Sequence, residues 1–236
     1  MPDSGSVALV TGGSEGIGHA VAEMLSKMGM TVVICSRNAP TASDTVALER
    51  ITCDVRDERS VLATVESVLG RHGRIDVLVN SAGVSMPESR PLEEIGSELW
   101  ARISRTNVEG TFFFCRAVMQ HMRKRGAGEI VNILSTASFR TDAGNIPYSA
   151  SKYAALAITE GLQKETAGTG IRISAVAPGK VASNIWNHKT KPVGEEARSR
   201  MLKPEDIADI VRFLITRPAY VRIGTITVTP DFLPPL

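Results

Sequence analysis

Cysteine is scarce in this chain: 3 of 236 residues, Cys35, Cys53 and Cys115. An odd number, widely spaced and without a CxxC pair, supports neither a disulfide framework nor a thiolate zinc site; all three read as small buried residues in a reducing compartment. The four histidines form no HExxH pattern, so no metal site is expected. Charge of one sign is also in short supply. The net charge of +2 gives no basic surface on which to hold nucleic acid. No apolar run approaches the roughly 20 residues of a membrane span. The first residues, MPDSG, lead into the apolar run 7–10 without a basic segment and apolar stretch of the leader type, and a cytoplasmic location is the expectation. With 43% hydrophobic and 22% charged residues, the chain has enough apolar material for a core under a soluble surface.

Short β-rich runs alternate with helix-length segments. Strands are predicted at 7–10, 31–35, 50–53, 76–80, 129–134, 172–176 and 225–228. Most are nearly continuous apolar runs, as expected of strands covered on both faces. Helices are predicted at 16–28, 58–72, 98–125 in one or two pieces, 148–167 and 204–216. The last carries Pro204 in its first turn, followed by acids that suit a helix N-terminus. Alternation of this kind implies parallel strands joined by right-handed crossovers. The expected architecture is therefore α/β and doubly wound, a seven-stranded parallel sheet flanked by helices in a single domain, 1–236. Residues 38–48, rich in Pro, Thr and Ser, look like an abbreviated crossover.

The first strand is followed by Thr11-Gly12-Gly13-Ser14-Glu15-Gly16-Ile17-Gly18. Glycines at this spacing allow a tight turn and close approach of backbone to a pyrophosphate, while the helix that follows aims its free N–H groups at the anion. The second strand ends Cys35-Ser36-Arg37, without the carboxylate that would bond a ribose 2′-hydroxyl. Arg37 lies 37 − 18 = 19 residues past the last glycine of the turn, where a guanidinium suits a 2′-phosphate and the face of an adenine. Glu15 is a counter-signal, being a carboxylate within the phosphate turn. The balance favours NADP(H) as cofactor.

Taken together the motifs resemble the short-chain dehydrogenase/reductase family over residues 7–228, a Rossmann-like fold. The glycine turn resembles that family's TGxxxGxG. Asp54, followed by Val55, stands where the family bonds the adenine amino group. Asn80-Ser81-Ala82-Gly83 is similar to its NNAG, with Ser81 in place of the second asparagine. The resemblance implies a catalytic set of Asn107, Ser135, Tyr148 and Lys152, the last two from a YxxxK motif 148 − 135 = 13 residues past the serine. Pro178-Gly179 matches the family's PG motif, and Val181 and Ser183 fall where members contact the nicotinamide carboxamide. The implied cofactor contacts are thus Gly12, Ser14, Gly16, Ile17, Gly18, Arg37, Asp54, Val55, Asn80, Ala82, Gly83, Tyr148, Lys152, Pro178, Gly179, Val181 and Ser183.

The residue types suit hydride chemistry. Reducing a carbonyl requires a proton on oxygen, and tyrosine, with an ordinary pKa near 10, is a poor acid/base at neutral pH unless its phenol is tuned. Tyr148 and Lys152 are i and i+4 on one helix, hence on one face. The expectation is that the ammonium, together with the positive nicotinamide of the oxidised cofactor, lowers the tyrosine pKa, and that the ammonium bonds the nicotinamide ribose. Ser135 would hold the substrate oxygen, and the resemblance gives Asn107 a water-bridged proton relay ending at Lys152.

Substrate identity rests on loops. Residues 184–201 form the expected lid, with Trp186 either stacking on a substrate or folding inward. His188, Lys189 and Lys191 read as a solvated basic loop sooner than as a site for an acidic substrate. Phe139 and Met86 are candidate pocket residues, and the substrate set is Ser135, Phe139, Tyr148 and Trp186. The expected activity is NADP(H)-dependent interconversion of a small carbonyl and a secondary alcohol. A reductase of 3-oxoacyl-[acyl-carrier-protein] thioesters and a non-catalytic NADP(H) sensor on the same fold are the alternatives. The ending Val228-Thr229-Pro230-Asp231 departs from the family's VDGG-like terminus. Phe112, Phe113, Phe114 and Val118 in one helix, and Ala154, Ala155, Leu156 and Ile158 in another, spread apolar character beyond one stripe. By resemblance this implies a homodimer or homotetramer built on those helices.

Overall fold

A computed structural model describes residues 5–37, 47–190 and 193–232. Seven strands form one parallel sheet in the order β3-β2-β1-β4-β5-β6-β7. They are β1 (Val7–Thr11), β2 (Thr31–Ser36), β3 (Glu49–Thr52), β4 (Val77–Asn80), β5 (Gly128–Ile133), β6 (Ile171–Pro178) and β7 (Thr225–Val228). The helices are α1 (Gly16–Lys27), α2 (Glu58–His72), α3 (Ser97–Ser104), α4 (Gly110–Arg125), α5 (Ile146–Glu165), α6 (Glu195–Ser199) and α7 (Pro204–Ile215). Every predicted strand and helix is present within two residues at each end. The predicted abbreviated crossover lies, over 38–46, outside the described residues.

Side chains of the central strands alternate between two buried layers, which is why these strands read as unbroken apolar runs. Ala8 and Val10 of β1 face α1 and α7, packing with Val21, Leu25, Ile207 and Val211. Val7 and Leu9 face the opposite layer with Val61, Val65, Phe114 and Met122 of α2 and α4. Helix ends follow local chemistry. Asp57 caps α2 by accepting from the Arg59 amide at 3.0 Å, and Gly73, at φ +70°, closes its C-terminus in the left-handed region.

Two features locate the site. The chain leaves β1 toward β2 and β3 on one side, and continues through β4 to β7 on the other, so a crevice opens where the direction reverses. Register then aligns the strand ends at this crevice: Thr11 lies opposite Cys35 on one side and Asn80 on the other, and Asn80 lies opposite Asn132. The predicted helix over 98–125 comes as α3 and α4 joined by a π-turn, Arg105–Glu109, that contains Asn107. Such an interruption of an α-helix frequently marks a functional position.

Sequence periodicity on α4 and α5 was partly a core signal. Phe114, Val118 and Ala155 are buried within the chain, whereas Phe112 and Tyr153 are 43% exposed.

Candidate active site

A cavity of about 1100 Å³ runs along the C-terminal ends of the strands. One end is walled by Arg37, Asp54 and Arg56, the middle by the glycine turn and Gly83, and the other end by Ser135, Tyr148, Lys152 and Trp186.

The glycine turn is shaped by what it packs against. Gly12 has φ +65°, and a Cβ there would lie 2.8 Å from the Ala82 Cα. A Cβ on Gly18 would strike the Gly12 carbonyl oxygen at 2.3 Å. Gly18 therefore serves the seating of α1 on the turn and does not line the cavity, while Ser14, Gly16 and Ile17 do. Thr11 Oγ1 accepts from the amides of Ser81 and Ala82, both at 3.1 Å, tying the loop after β4 to β1. Glu15, the counter-signal in the turn, is exposed, and its carboxylate accepts from Asn184 Nδ2 at 2.8 Å. It is an anchor for the loop after β6.

Asn80 is buried. Its Nδ2 donates to Asn132 Oδ1 at 2.9 Å and to Cys115 Sγ at 3.3 Å. Asn132 Nδ2 donates on to Thr159 Oγ1 at 2.9 Å. The side chain does not face the cavity, so the cofactor contact expected of Asn80 is replaced by a polar network joining β4, β5, α4 and α5. Ala82 and Gly83 do line the cavity, as do Val55, Pro178, Gly179, Val181 and Ser183.

Asn107 is 1% exposed, and its amide is fully used. Oδ1 accepts from the Val84 amide at 2.8 Å, while Nδ2 donates to the Val84 carbonyl at 2.9 Å and to Ser151 Oγ at 2.9 Å. The side chain thus pins the loop after β4 to α5.

Ser135 and α5 form the reactive end. Ser135 Oγ accepts from the Ala137 amide at 3.1 Å, and the Ser135 side chain lines the cavity beside Tyr148. Ser138 Oγ donates to the Lys152 carbonyl at 2.9 Å, and Ser151 Oγ to the Tyr148 carbonyl at 2.7 Å, which fixes the helix beneath the two side chains. Lys152 is 7% exposed and donates from Nζ to the Ile133 carbonyl at 3.0 Å; the ammonium lies 5.8 Å from the centre of the Tyr148 ring. Burial brings the Lys152 pKa down to about 8. Burial also pushes the Tyr148 phenol up, with the Ser135 side chain opposing it. In the chain alone Lys152 does not lower the Tyr148 phenol; the expected lowering included the positive nicotinamide of the oxidised cofactor. The lysine is desolvated along with the tyrosine and bonds a carbonyl in place of the phenol.

Trp186 lines the cavity with its ring, and its Nε1 donates to the Val181 carbonyl at 2.6 Å. Lys189 is not a solvated basic residue. Its Nζ donates to the Met86 carbonyl at 2.6 Å and sits 5.6 Å from the centre of the Trp186 ring, and burial lowers its pKa. The Thr190 amide and hydroxyl bond the Pro87 carbonyl (3.2 Å) and Glu88 Oε2 (2.7 Å), so the loop after β6 is latched onto the loop after β4. The predicted lid also contains a 3₁₀ turn, Asn184–His188, and α6. The His188 side chain and Lys191 lie outside the described residues. Phe139 is 40% exposed and does not line the cavity; the turn of 136–138 carries it outward, and Arg140 lines the wall. Met86 lines the cavity from a buried position.

Sequence reasoning missed Arg56 and Arg140. Asp54-Val55-Arg56-Asp57 was a usable signal, because an aspartate that opens a turn accepts from the backbone two residues on and so brings that residue to its carboxylate.

The arrangement matches known proteins over its whole length. Residues 6–193 match the family model described as short chain dehydrogenase. The chain belongs to the short-chain dehydrogenase family. It is 35% identical over 235 residues to a putative ketoacyl reductase of Streptomyces coelicolor, covering 89% of each chain. Actinorhodin polyketide ketoreductase, solved with NADPH, superposes with a TM-score of 0.83 at 33% identity and covers 98% of both chains. The 3-ketoacyl-(acyl-carrier-protein) reductase from Brucella melitensis, solved with NADH, gives 0.85 at 28% identity over 96% of this chain and 98% of that one. Among the described residues, no helix is long and apolar enough to cross a membrane, and no group of His, Cys, Asp and Glu gathers as a metal site.

Proposed function

We propose that this member of the family is an NADP(H)-dependent oxidoreductase that interconverts a carbonyl and a secondary alcohol. The observation that carries the reading is one juxtaposition. Ser135 and Tyr148 line one end of the cavity, with the buried Lys152 ammonium 5.8 Å from the centre of the tyrosine ring, and the middle of the same cavity is the glycine turn. The residues fit a dinucleotide. A close-packed glycine turn leads into a helix N-terminus, Arg37 stands at one end, and a buried cation with a carbonyl as its bonded partner stands at the other. The glycine turn, Asp54, Val55, Gly83, Pro178, Gly179, Val181 and Ser183 would hold it, with Lys152 at the nicotinamide ribose. When bound, the reduced nicotinamide supplies the hydride.

The chain's own residues then handle oxygen and proton. Ser135 holds the carbonyl oxygen and stabilises the charge that develops on it. Tyr148 gives that oxygen its proton. A phenol raised by burial stays protonated at neutral pH, which suits an acid acting in the direction of reduction. Lys152 offsets the charge left on the phenolate and returns a proton to it, refilled from the relay that includes Asn107, whose side chain also fixes the loop after β4. Trp186 closes the substrate end. The names of the Streptomyces and Brucella relatives favour a 3-oxoacyl thioester as a second substrate class.

A panel of ketones, aldehydes and 3-oxoacyl thioesters, assayed by NADPH consumption with wild type and Tyr148→Phe, tests the reading. Tyr148→Phe should lose at least about 100-fold in kcat, with NADPH affinity within a few-fold of wild type. Undiminished turnover by Tyr148→Phe removes the catalytic assignment. Tight NADPH binding with no reduction across the panel makes the sensor reading the leading one.

A further inference from the structure

The far end of the cavity holds one side chain, Arg56, that the cofactor reading does not use. Beyond β3 the chain is pinned to β2 by the Cys53 amide, which donates to the Ser36 carbonyl at 2.9 Å, and to α2 by the Asp54 amide, which donates to Ser60 Oγ at 3.2 Å. Asp54 then points into the cavity mouth and is gripped by the residue two further on. Arg56 Nε donates to both carboxylate oxygens at 2.9 and 3.0 Å, its Nη2 donates to Oδ2 at 2.6 Å, and its backbone amide donates to Oδ1 at 3.0 Å. Both side chains are about one-third exposed, 35% and 33%, and both line the cavity, as does Arg37.

Two consequences follow from charge and geometry. One carboxylate at this mouth, unopposed, would repel a phosphate; with two guanidiniums around it the mouth is net positive by one charge. Asp54 also fixes the plane of the Arg56 guanidinium through Nε and Nη2. Nη1 and the second hydrogen of Nη2 are left on the end of the guanidinium, an edge that can make bidentate contact with a tetrahedral oxyanion.

We infer that Arg56, held in place by Asp54, is a specificity-determining residue that forms with Arg37 a two-guanidinium seat for the phosphate on the adenosine ribose of the cofactor. This rests on the NADP(H) reading and adds a residue to it. Arg37 alone would face a carboxylate of opposite charge and present the phosphate with no net attraction. Arg56 supplies the surplus. Asp54, committed to Arg56, serves as a positioning residue at the same time as it borders the adenine.

The test uses fragments of the cofactor and reads binding, not turnover. Isothermal titration of the full chain with adenosine 2′,5′-bisphosphate and with adenosine 5′-monophosphate measures what the 2′-phosphate contributes. Wild type should prefer the 2′-phosphorylated nucleotide by at least about tenfold, the lower end for one charge-assisted contact. Arg56→Met should erase about tenfold of that preference and leave the affinity for adenosine 5′-monophosphate unchanged, which also shows that the variant is folded. Arg56→Gln should behave alike, since it too lacks the charge. If either variant keeps the full preference, Arg37 acts alone and the inference is overturned. It is equally overturned if both nucleotides weaken together, because Arg56 is then a scaffold residue only. If wild type shows no preference for the 2′-phosphate, the NADP(H) reading itself fails, a different result from either.

Discussion

Lys152 Nζ lies 3.0 Å from the Ile133 carbonyl oxygen, and this bond, not one to the phenol of Tyr148 a turn earlier, holds the buried ammonium. The lysine passes 5.8 Å from the centre of the tyrosine ring to reach the end of β5. Sheet and helix thus share the cation, and its position is set before any ligand arrives.

That position costs the fold stability. Desolvation brings Lys152 from the usual 10.5 down to about 8, which corresponds to about 3 kcal/mol disfavouring the charged form near neutral pH. The unfolded chain binds this proton more tightly, so the penalty is complete below about pH 8 and fades as pH rises toward 10.5. Lys152→Met removes the penalty and loses the bond to Ile133, itself worth about 1 kcal/mol. The expected outcome at pH 7 is a raised Tm, by several degrees, in a variant that no longer reduces substrate. The gain should shrink by pH 10. Thermal melts at the two pH values check this, and a lowered Tm at pH 7 would refute it.

Much of the fold was legible in the sequence because its parallel strands are buried on both faces. Val77, Leu78 and Val79 can be read as a central strand without knowing their neighbours. The reactive end was legible because Ser135, Tyr148 and Lys152 lie within one strand–turn–helix unit. What escaped depends on contacts distant in sequence. The inward turn of Asn80 is decided by Asn132, 52 residues away, and the position of Lys189 by Met86, 103 residues away. The direction of the Tyr148 shift in the chain alone escaped because spacing shows that a lysine is near but not that both groups are dry. Arg56 is different: its partner was two residues away and could have been found.

A second buried charge governs stability on the acid side. Glu129 and Arg172 face each other across β5 and β6. Arg172 Nε donates to Glu129 Oε1 at 2.5 Å, and its Nη1 donates to the carbonyls of Arg217, Pro218 and Val221, tying the segment after α7 to the sheet. Burial outweighs the guanidinium and holds the Glu129 carboxyl up at about 7, against 4.5 ordinarily. The folded chain therefore binds this proton more tightly than the unfolded one, and its contribution is greatest below pH 4.5 and is lost as pH rises through about 7. Arg172→Met strands the carboxylate and the three carbonyls, and should cost about 3–5 kcal/mol. The loss should be larger at pH 8 than at pH 5, where Glu129 takes up a proton. Arg172→Lys should rescue little, since an ammonium cannot reproduce the fork. Urea titrations at both pH values decide it; an equal loss at pH 5 and pH 8 would contradict the role given to Glu129.

Arg37 should set much of the cofactor preference. It lines the cavity mouth, and its charge acts on Asp54. Wild type should favour NADPH over NADH in kcat/KM by at least about tenfold. Arg37→Ala should remove most of that preference while leaving NADH kinetics nearly unchanged. A wild type that favours NADH would point instead to Ser36 at the end of β2.

The outer faces of α3, α4 and α5 carry the last expectation. Trp100, Phe112 and Tyr153 are 48%, 43% and 43% exposed. The Arg116 guanidinium lies 5.2 Å from the centre of the Phe112 ring and 5.7 Å from that of Phe113, covering part of the patch with a cation that can itself be buried against a partner. Large aromatic residues gathered on neighbouring helices mark an interaction surface. α4 and α5 both run antiparallel to the parallel strands they connect, and so parallel to each other; a two-fold axis beside them would set the same pair from a second copy against them in a self-complementary contact. The protein should therefore run in light scattering as a dimer or tetramer of 25.3 kDa chains at micromolar concentration. Phe112→Asp places two carboxylates in a closed interface for every one in the chain, and should shift the mass toward the monomer while the far-ultraviolet circular dichroism stays unchanged. A wild type that scatters as a monomer would leave these aromatics without the partner proposed for them.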